Sequence, residues 1–162
     1  MDIWTERLVQ RHIPLLERWI GRTDGALTPN DLPRKAEDLA AWFAACSAEP
    51  GRLDCLVSVY ETPVGIAGLR QHSGQRETAD LYLLLCELNY NLLRTATYAT
   101  LRMLDRAFLE LGFERAALQV YAKHVWYLDV LGQMGFCREE EHDGVTRLSV
   151  EKTVYLDRKY LF

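Results

Sequence analysis

The chain has 162 residues, of which 49% are hydrophobic, which is enough for one ordinary globular core. Its formal net charge of -4 gives no electrostatic reason for general binding to nucleic acid or to an anionic membrane surface, so the expected partner is a small molecule or a protein tail. The dispersed cysteines and histidines lack metal-ligand spacing, so no metal is expected and the thiols should be free.

The sequence predicts a single domain over residues 1–162, located in the cytoplasm. No apolar stretch approaches the roughly 20 residues of a membrane-spanning helix. The first seven residues lack the basic-then-apolar pattern of an export signal. No internal repeat, low-complexity tract or Pro/Ser-rich linker suggests a second domain.

The N-terminal quarter predicts one strand and two helices. The strand covers residues 2–11, and a short helix follows over residues 13–20. Asp31 is expected to cap the second helix, which should end near Pro50. The buried face of this helix is predicted from apolar residues at positions i, i+3, i+4 and i+7: Leu39, Trp42, Phe43 and Cys46.

Three strand-like runs follow and predict an antiparallel meander. They cover residues 53–60, 64–71 and 79–86. Gly65 and Gly68 lie within the second run, where a missing side chain permits close packing against the backbone.

The second half predicts a long helix, a strand, a shorter helix and two closing strands. Gly112 ends the long helix, because glycine readily adopts the positive φ of a helix C-terminus. The later elements are expected at residues 116–122, 125–134, 136–141 and 145–156. The apolar stripe of the long helix is predicted to pack on the sheet: Ala96, Ala99, Met103, Leu104, Ala107, Phe108 and Leu111.

Several short motifs reinforce this element order. The long helix leads through Leu111-Gly112-Phe113 into the next strand, and the shorter helix ends at Met134-Gly135-Phe136. This arrangement resembles the acetyl-CoA-binding core of the Gcn5-related N-acetyltransferase (GNAT) superfamily. The opening run from Thr5 to Arg11 and the hairpin from Tyr60 to Leu69 resemble the branch that acetylates ribosomal-protein N-termini and many small amines.

The resemblance implies an α/β (α+β) acyl-CoA N-acyltransferase fold, with a mixed, mostly antiparallel seven-stranded sheet and about four helices. Acetyl-CoA (coenzyme A) would lie where the strand at residues 81–85 and that at 118–120 separate, with its pantetheine arm paired to the backbone near Leu83 and Leu85. The implied reaction moves an acetyl group to a primary amine of a small molecule or a peptide N-terminus by direct attack. The alternative is a catalytically degenerate GNAT-fold binding or regulatory protein.

The reaction needs a proton acceptor, because an amine with a pKa of roughly 10 is mostly protonated at neutral pH. By resemblance this base is Asp80, which should share one face of its strand with Tyr82, Leu84 and Cys86. The alternative for Asp80 is an edge-strand carboxylate that faces solvent. Glu77 and Glu87, near the ends of the strand, are further candidates.

The pyrophosphate-binding turn implied by the resemblance is altered in this chain. The family pattern Arg/Gln-x-x-Gly-x-Gly/Ala aligns with Asn91 at its first position, Arg94 at the first glycine and Ala96 at the second. Arg94 could pair with a phosphate, or it could be a solvated residue at a helix start. Thr95 or Thr97 is expected to cap the helix and to donate to phosphate.

The reaction also requires help for the departing thiolate. The family provides an Asn that contacts the cofactor and a Tyr that protonates the sulfur, and here His124 and Leu131 occupy those positions. Either the proton-donor role is vacant, or another phenol supplies it. Tyr127 is the first substitute, followed by Tyr82 and Tyr90, although Tyr127 could also be an ordinary packing residue. His124 could contact the amide arm of the cofactor or play a structural part.

The acceptor side of the cleft is expected to come from residues 21–35 and 72–78. Their mixed polarity is compatible with an amino acid, an amino sugar, a polyamine or a peptide N-terminus. A homodimer is a further expectation, because many relatives form one, but no interface stripe can be identified in the sequence.

Overall fold

The computed structural model describes residues 2–21, 26–87 and 91–162. Within this part of the chain, seven strands are formed: β1 (Ile3–Arg7), β2 (Arg52–Val59), β3 (Thr62–His72), β4 (Gln75–Leu85), β5 (Arg115–Tyr121), β6 (Cys137–His142) and β7 (Val145–Glu151). The same residues form five α-helices: α1 (Ile13–Trp19), α2 (Leu39–Ala48), α3 (Leu92–Asp105), α4 (Val125–Gln133) and α5 (Lys152–Arg158). Three 3₁₀ turns (Gln10–His12, Ala36–Asp38 and Lys159–Leu161) and a π-helical turn (Arg106–Glu110) complete the elements.

The strands form one mixed sheet in the order β1-β2-β3-β4-β5-β7-β6. Neighbouring strands are antiparallel except β4 and β5, which are parallel. The predicted meander of β2, β3 and β4 and the predicted seven-stranded, mostly antiparallel sheet are therefore confirmed.

The sheet separates two hydrophobic cores, and β4 contributes to both. Leu81, Leu83 and Leu85 belong to the core beneath α3, whereas Tyr82 and Leu84 pack with α1 and α2 on the opposite face. This alternation follows from the period of two along a strand. It confirms the predicted grouping of the even-numbered β4 residues on one face.

The apolar stripe of α3 packs on the sheet as predicted, with one exception. Ala96, Ala99 and Phe108 are fully buried or nearly so, whereas Leu111 is 48% exposed. The π-helical turn after α3 explains the difference, because its wider turn moves Leu111 out of the 3.6-residue phase. Gly112 has a φ of +76° and ends the helical segment, as predicted.

Several predicted boundaries are wrong. The first strand ends at Arg7 rather than at residue 11, and β4 begins at Gln75 rather than at residue 79. Asp31 does not cap α2, because this helix begins only at Leu39, after a 3₁₀ turn. The Asp31 carboxylate instead accepts a hydrogen bond from the Trp42 indole. The last strand ends at Glu151 rather than near residue 156, and α5 follows it. The β-like run in α5 is helical because burial of Tyr155 against α3, where its hydroxyl donates to Leu101 O (3.2 Å), decides the local structure.

Close approaches explain the two glycines of β3. A Cβ on Gly65 would overlap the backbone carbonyl of Leu84, and a Cβ on Gly68 would overlap the aromatic ring of Tyr82. The absence of side chains lets β4 and the Tyr82 ring lie directly against β3.

No helix in the described ranges 2–21, 26–87 and 91–162 is both long enough and apolar enough to cross a membrane.

We expect Gly68→Ala to lower the free energy of unfolding by about 2 kcal/mol, because the added methyl group must displace the Tyr82 ring. Urea unfolding followed by circular dichroism measures this change. Gly132→Ala in α4 is the matched control, since no atom lies within 4 Å of its added Cβ and alanine favours a helix. An unchanged stability of Gly68→Ala would contradict the packing role of this glycine.

Candidate active site

The parallel pair β4 and β5 separates part of the way along its length. Described pairing between the two strands runs from Thr78 opposite Arg115 to Leu81 opposite Leu118 and ends there. Beyond this point β4 stays paired with β3, and β5 stays paired with β7. The sheet therefore has an opening, defined here as the space between residues 82–85 of β4 and residues 119–121 of β5. Its position is the one predicted for the pantetheine arm.

Residues 26–28, which we call the plug segment, lie in this opening. Thr28 Oγ1 accepts a hydrogen bond from Leu83 N–H (2.9 Å) and donates to Leu83 O (3.4 Å). Ala26 forms an antiparallel bridge with Leu84, and Leu27 O accepts from Tyr121 N–H (3.1 Å). The plug segment thus bonds to both separated strands and satisfies backbone groups that would otherwise lack partners.

Little empty space remains beneath the plug segment. Leu27 is fully buried in the core below α3. A residual void of about 10 Å³ is lined by residues that include Leu83, Leu118, Thr100 and Tyr127. A ligand arm could therefore pair with the Leu83 backbone only if the plug segment moved, although a cavity of about 380 Å³ remains beside Ala26, Leu84 and Tyr121.

Tyr127 lies at the floor of this void and is fully buried. The hydroxyls of Tyr127 and Thr100 are 2.7 Å apart, and Thr100 itself donates to Ala96 O (2.7 Å). Tyr127 is consequently the donor to Thr100. Desolvation by burial raises the pKa of Tyr127 well above its ordinary value.

The start of α3 differs from the predicted phosphate turn. Asn91 is the N-cap, and its Oδ1 accepts from Arg94 N–H (3.0 Å). The expectation that Thr95 or Thr97 caps the helix is therefore wrong: both are buried within α3, and Thr97 Oγ1 donates to Leu93 O. Ala96 is also fully buried, whereas Arg94 is exposed, with its guanidinium 5.9 Å from the centroid of the Tyr98 ring.

His124 and Leu131, the two positions predicted to lie near the thioester, have different surroundings. His124 is the N-cap of α4, and its Nε2 lies 3.3 Å from Ala26 O of the plug segment. Desolvation lowers the pKa of His124 below its ordinary value. Leu131 is fully buried in the core.

A cavity of about 290 Å³ lies on the opposite face of the sheet, beside the first unpaired residues of β4. We call it the polar cavity. Its walls come from the chain after the plug segment and from the strands β2, β3, β4, β5 and β7: Pro29, Asn30, Asp31, Arg52, Arg70, Asp80, Leu81, Tyr82, Ala117, Gln119 and Arg147. Of the two ranges expected on the acceptor side, 21–35 contributes to this cavity and 72–78 does not.

Asp80 lies in the wall of the polar cavity. One carboxylate oxygen, Oδ2, is 2.6 Å from His72 Nδ1. The other, Oδ1, is 3.6 Å from an Arg147 terminal nitrogen, which is too long for a hydrogen bond. Among the described residues, Asp80 Oδ1 is the one buried side-chain oxygen or nitrogen without a hydrogen-bond partner. Such an atom is costly to leave unpaired, which makes it a candidate contact for a ligand or a bound water.

Sequence reasoning missed His72 as a partner of Asp80. A two-residue turn at Ser73-Gly74 joins β3 to β4, and the register of the hairpin places Arg70 opposite Asp80. His72 and Arg70 are both on the cavity side of β3, so the imidazole reaches the Asp80 carboxylate diagonally across the hairpin. A regular hairpin around the Ser-Gly turn would place Asp80 opposite Ala67, and only the register shift between Gln71 and His72 brings Asp80 close to the imidazole, so the sequence carries no signal for the pair.

Sequence reasoning also missed the charged cluster around Arg52. Its side chain is only 4% exposed and donates to both Asp31 oxygens (3.0 Å each) and to both Asp54 oxygens (3.0 and 3.2 Å). The Tyr82 hydroxyl donates to Asp54 Oδ1 (2.6 Å). Desolvation lowers the pKa of Arg52, but the hydrogen bonds to the two carboxylates outweigh it, so the pKa lies above its ordinary value. The cluster fixes one wall of the polar cavity.

The remaining predicted candidates lie away from the polar cavity or outside the described residues. Glu77 is exposed, and its backbone carbonyl accepts from Glu114 N–H. Glu87 Oε1 accepts a hydrogen bond from the indole of the buried Trp19 (2.9 Å). Tyr90 is outside the described residues.

Comparison with solved structures shows the fold. Spermidine N-acetyltransferase from Vibrio cholerae, in complex with CoA and spermine, matches with a TM-score of 0.78 and 14% identity over 95% of this chain and 98% of that chain. A chimera of the spermidine N-acetyltransferase SpeG from Vibrio cholerae and hSSAT matches with a TM-score of 0.79 and 13% identity over 98% and 100% of the two chains. No family model and no curated protein sequence matches this chain. The predicted acetyltransferase fold is confirmed.

We expect Arg52→Met to lower the free energy of unfolding by about 3 kcal/mol, because it leaves the buried Asp54 carboxylate without its cation. Arg70→Met is the matched control. The Arg70 side chain is 48% exposed and its ion pair with Glu49 lies at the surface, so its loss should change stability by less than about 1 kcal/mol. Urea denaturation of the two variants beside wild type measures both effects. Equal losses would contradict a central role for Arg52.

Proposed function

We propose that this protein is an acyl-CoA-dependent N-acyltransferase, which moves an acetyl group from acetyl-CoA to a primary amine of a small molecule or a peptide N-terminus by direct attack. One observation carries the proposal: Asp80 lies one residue before the last β4–β5 pair, where the opening and the polar cavity approach each other through the sheet. A carboxylate at this junction could accept a proton from an amine in the cavity as the amine attacks an acetyl group held in the opening.

The opening carries the backbone groups that an amide-bearing arm requires. Thr28 Oγ1 accepts from the Leu83 N–H and donates to the Leu83 carbonyl, much as an amide would pair with an added strand. Leu83 and Leu85 would hold the pantetheine arm of acetyl-CoA after the plug segment has moved aside. The bound cofactor would supply an activated acetyl thioester.

The first turn of α3 is the proposed pyrophosphate site. Asn91 caps the Arg94 N–H, but the N–H groups of Leu92 and Leu93 point from a 14-residue helix and can bind an anion there. The exposed Arg94 side chain would add a cation, in place of the close backbone contact that glycine allows. The side chains of Thr95, Ala96 and Thr97 are buried, and the Thr95 N–H already donates to Asn91 O (2.9 Å), so these residues would support the site only by packing the helix start against the core.

Asp80 is the proposed general base. It would take a proton from the acceptor ammonium at Oδ1, directly or through one water, and so free the nitrogen lone pair for attack. Oδ2 accepts from His72 Nδ1–H, because an ionised carboxylate has only acceptors to offer. His72 is thus a positioning residue that fixes the carboxylate.

Tyr127 is the proposed donor to the departing sulfur. Its hydroxyl lines the void beneath Leu83 and Leu118, which a ligand arm replacing the plug segment would reach. To donate, the hydroxyl would turn from Thr100 towards the void. His124 would contact the amide arm with Nε2, which now faces Ala26 O.

A catalytically degenerate GNAT-fold binding or regulatory protein is the second candidate. The plug segment favours it, because Leu27 and Thr28 occupy the place that the cofactor arm would take. The two candidates differ in whether acetyl-CoA can displace this segment.

Asp80→Asn should lower kcat by about 100-fold or more, because an amide cannot accept the proton. The dissociation constant of acetyl-CoA should stay within about twofold, since the carboxylate is on the acceptor side of the sheet. Free-thiol release with an amine panel and calorimetry measure the two quantities. Asp129→Asn, an exposed carboxylate on α4, is the control. Turnover that survives in Asp80→Asn would remove Asp80 from the mechanism.

Thr28→Ala should bind acetyl-CoA about fivefold more tightly than wild type. The variant lacks the two hydrogen bonds of Thr28 to Leu83, so the free-energy cost of displacing the plug segment falls by about 1 kcal/mol. Isothermal titration with acetyl-CoA measures the change. Thr146→Ala is the matched control, since this buried threonine donates to Glu141 on β6 instead. If neither wild type nor Thr28→Ala binds acetyl-CoA at millimolar concentration, the second candidate replaces the first.

A further inference from the structure

Among the described residues, the polar cavity contains an anionic hydrogen-bond acceptor and cationic hydrogen-bond donors that lack hydrogen-bond partners. Asp80 Oδ1 accepts no hydrogen bond within the described chain. Arg147 donates through Nε to Glu139 (3.2 Å), while its terminal nitrogens have no hydrogen bond to any described residue and only the 3.6 Å ion pair with Asp80. The cavity therefore presents an unpaired acceptor directly beside unpaired cationic donors.

Arg70 adds a second cation with a free donor. One of its terminal nitrogens donates to Glu49 (2.7 Å), and the other is 3.8 Å from Asp31, beyond hydrogen-bond distance. Arg52, in contrast, has its donors directed at Asp31 and Asp54. Of the three arginines in the cavity wall, Arg147 and Arg70 are thus the two able to take a ligand oxygen.

This arrangement discriminates between classes of amine. A polyamine would satisfy Asp80 with one ammonium group, but its other cations would face Arg147 and Arg70 across a small cavity. An amine with a nearby carboxylate would pair with both signs of charge. The 3.6 Å between the Asp80 and Arg147 groups suits functional groups attached to one carbon, as in an α-amino acid.

We propose that the acceptor is a free α-amino acid, with its amine directed at Asp80 Oδ1 and its carboxylate held by Arg147, while Arg70 adds positive charge to the cavity wall. Acetylation of this amino acid depends on the proposed acetyl transfer. Binding of the amino acid depends only on the polar cavity. One proton of the acceptor ammonium passes to Asp80 before attack. The amine nitrogen then bonds to the acetyl carbon and the carbon–sulfur bond breaks, and the second proton lost from nitrogen balances the proton that the sulfur takes up to leave as the thiol.

The first experiment compares each free amino acid with its carboxamide as acceptor for wild type, with acetyl-CoA as donor and spermidine as the rival amine. The carboxamide keeps the amine and removes the charge, so kcat/KM should fall about tenfold or more for the preferred amino acid. If spermidine or the carboxamide has an equal or higher kcat/KM, the substrate class is wrong and acetyl transfer itself stands.

The second experiment tests the residue that would hold the carboxylate. Arg147→Met should lower kcat/KM for the free amino acid at least tenfold more than for its carboxamide, because only the acid loses a charged contact beyond any effect on Asp80. Arg115→Met is the matched control, because Arg115 pairs with the same Glu139 and is not in the cavity wall. Equal losses for acid and carboxamide in Arg147→Met would contradict the carboxylate contact.

Binding separates failure of this inference from failure of the proposed function. If no amine is acetylated, thermal unfolding of wild type is followed with each free amino acid at 10 to 100 millimolar, roughly the range in which weak ligands shift stability. A stabilising shift that is absent in Arg147→Met and present in Arg115→Met upholds the ligand class without turnover. The absence of any shift with every free amino acid overturns it.

Discussion

The functional architecture depends on one event in the sheet, the end of hydrogen bonding between β4 and β5 after Leu81 and Leu118. Each strand keeps its other neighbour beyond this point, so the sheet stays intact while an inner edge of each strand is exposed. Exposed inner edges carry backbone donors and acceptors that need partners. The opening can therefore accept an extended segment, and in this structure the plug segment takes that place.

The plug segment meets this requirement with few contacts. The contacts of Thr28 with Leu83, the bridge of Ala26 to Leu84 and the bond from Tyr121 to Leu27 hold it to the strands, while Leu27 fills the core below. Individual hydrogen bonds add only about 1 kcal/mol each to stability, because water competes for the same groups. Burial of Leu27 adds about 2 kcal/mol more. A cofactor that offers several amides and an anionic group could replace these contacts, which is why the same geometry is compatible with an enzyme and with a blocked relative.

The sequence was sufficient to predict the features that depend on local periodicity. It was insufficient to predict the features that depend on tertiary contacts. The meander and the face that Asp80 shares with Tyr82 follow from strand-like runs and their alternation, which are local properties. The position of the opening was predicted from the resemblance to the acetyltransferase fold instead. The His72–Asp80 pair depends on a hairpin register, and the Arg52 cluster joins β2 to the distant Asp31. The plug segment was hidden for a different reason, since nothing in its composition shows that its partners are the separated strands. Tyr155 similarly places a β-like run in a helix because its burial outweighs local propensity.

The plug segment also links the two sides of the sheet. Residues 29–31 follow it directly and form part of the polar cavity wall. Arg52 and Trp42 hold Asp31 in place by hydrogen bonds. If Thr28 moves, the backbone between Thr28 and Asp31 must therefore change conformation. Only Pro29 and Asn30 separate the two anchored positions, and proline restricts its own φ. Occupation of the opening would therefore reshape the cavity wall beside Asn30. Such coupling is reciprocal for binding: a ligand that favours one shape of the wall must change the affinity of the opening by the same factor.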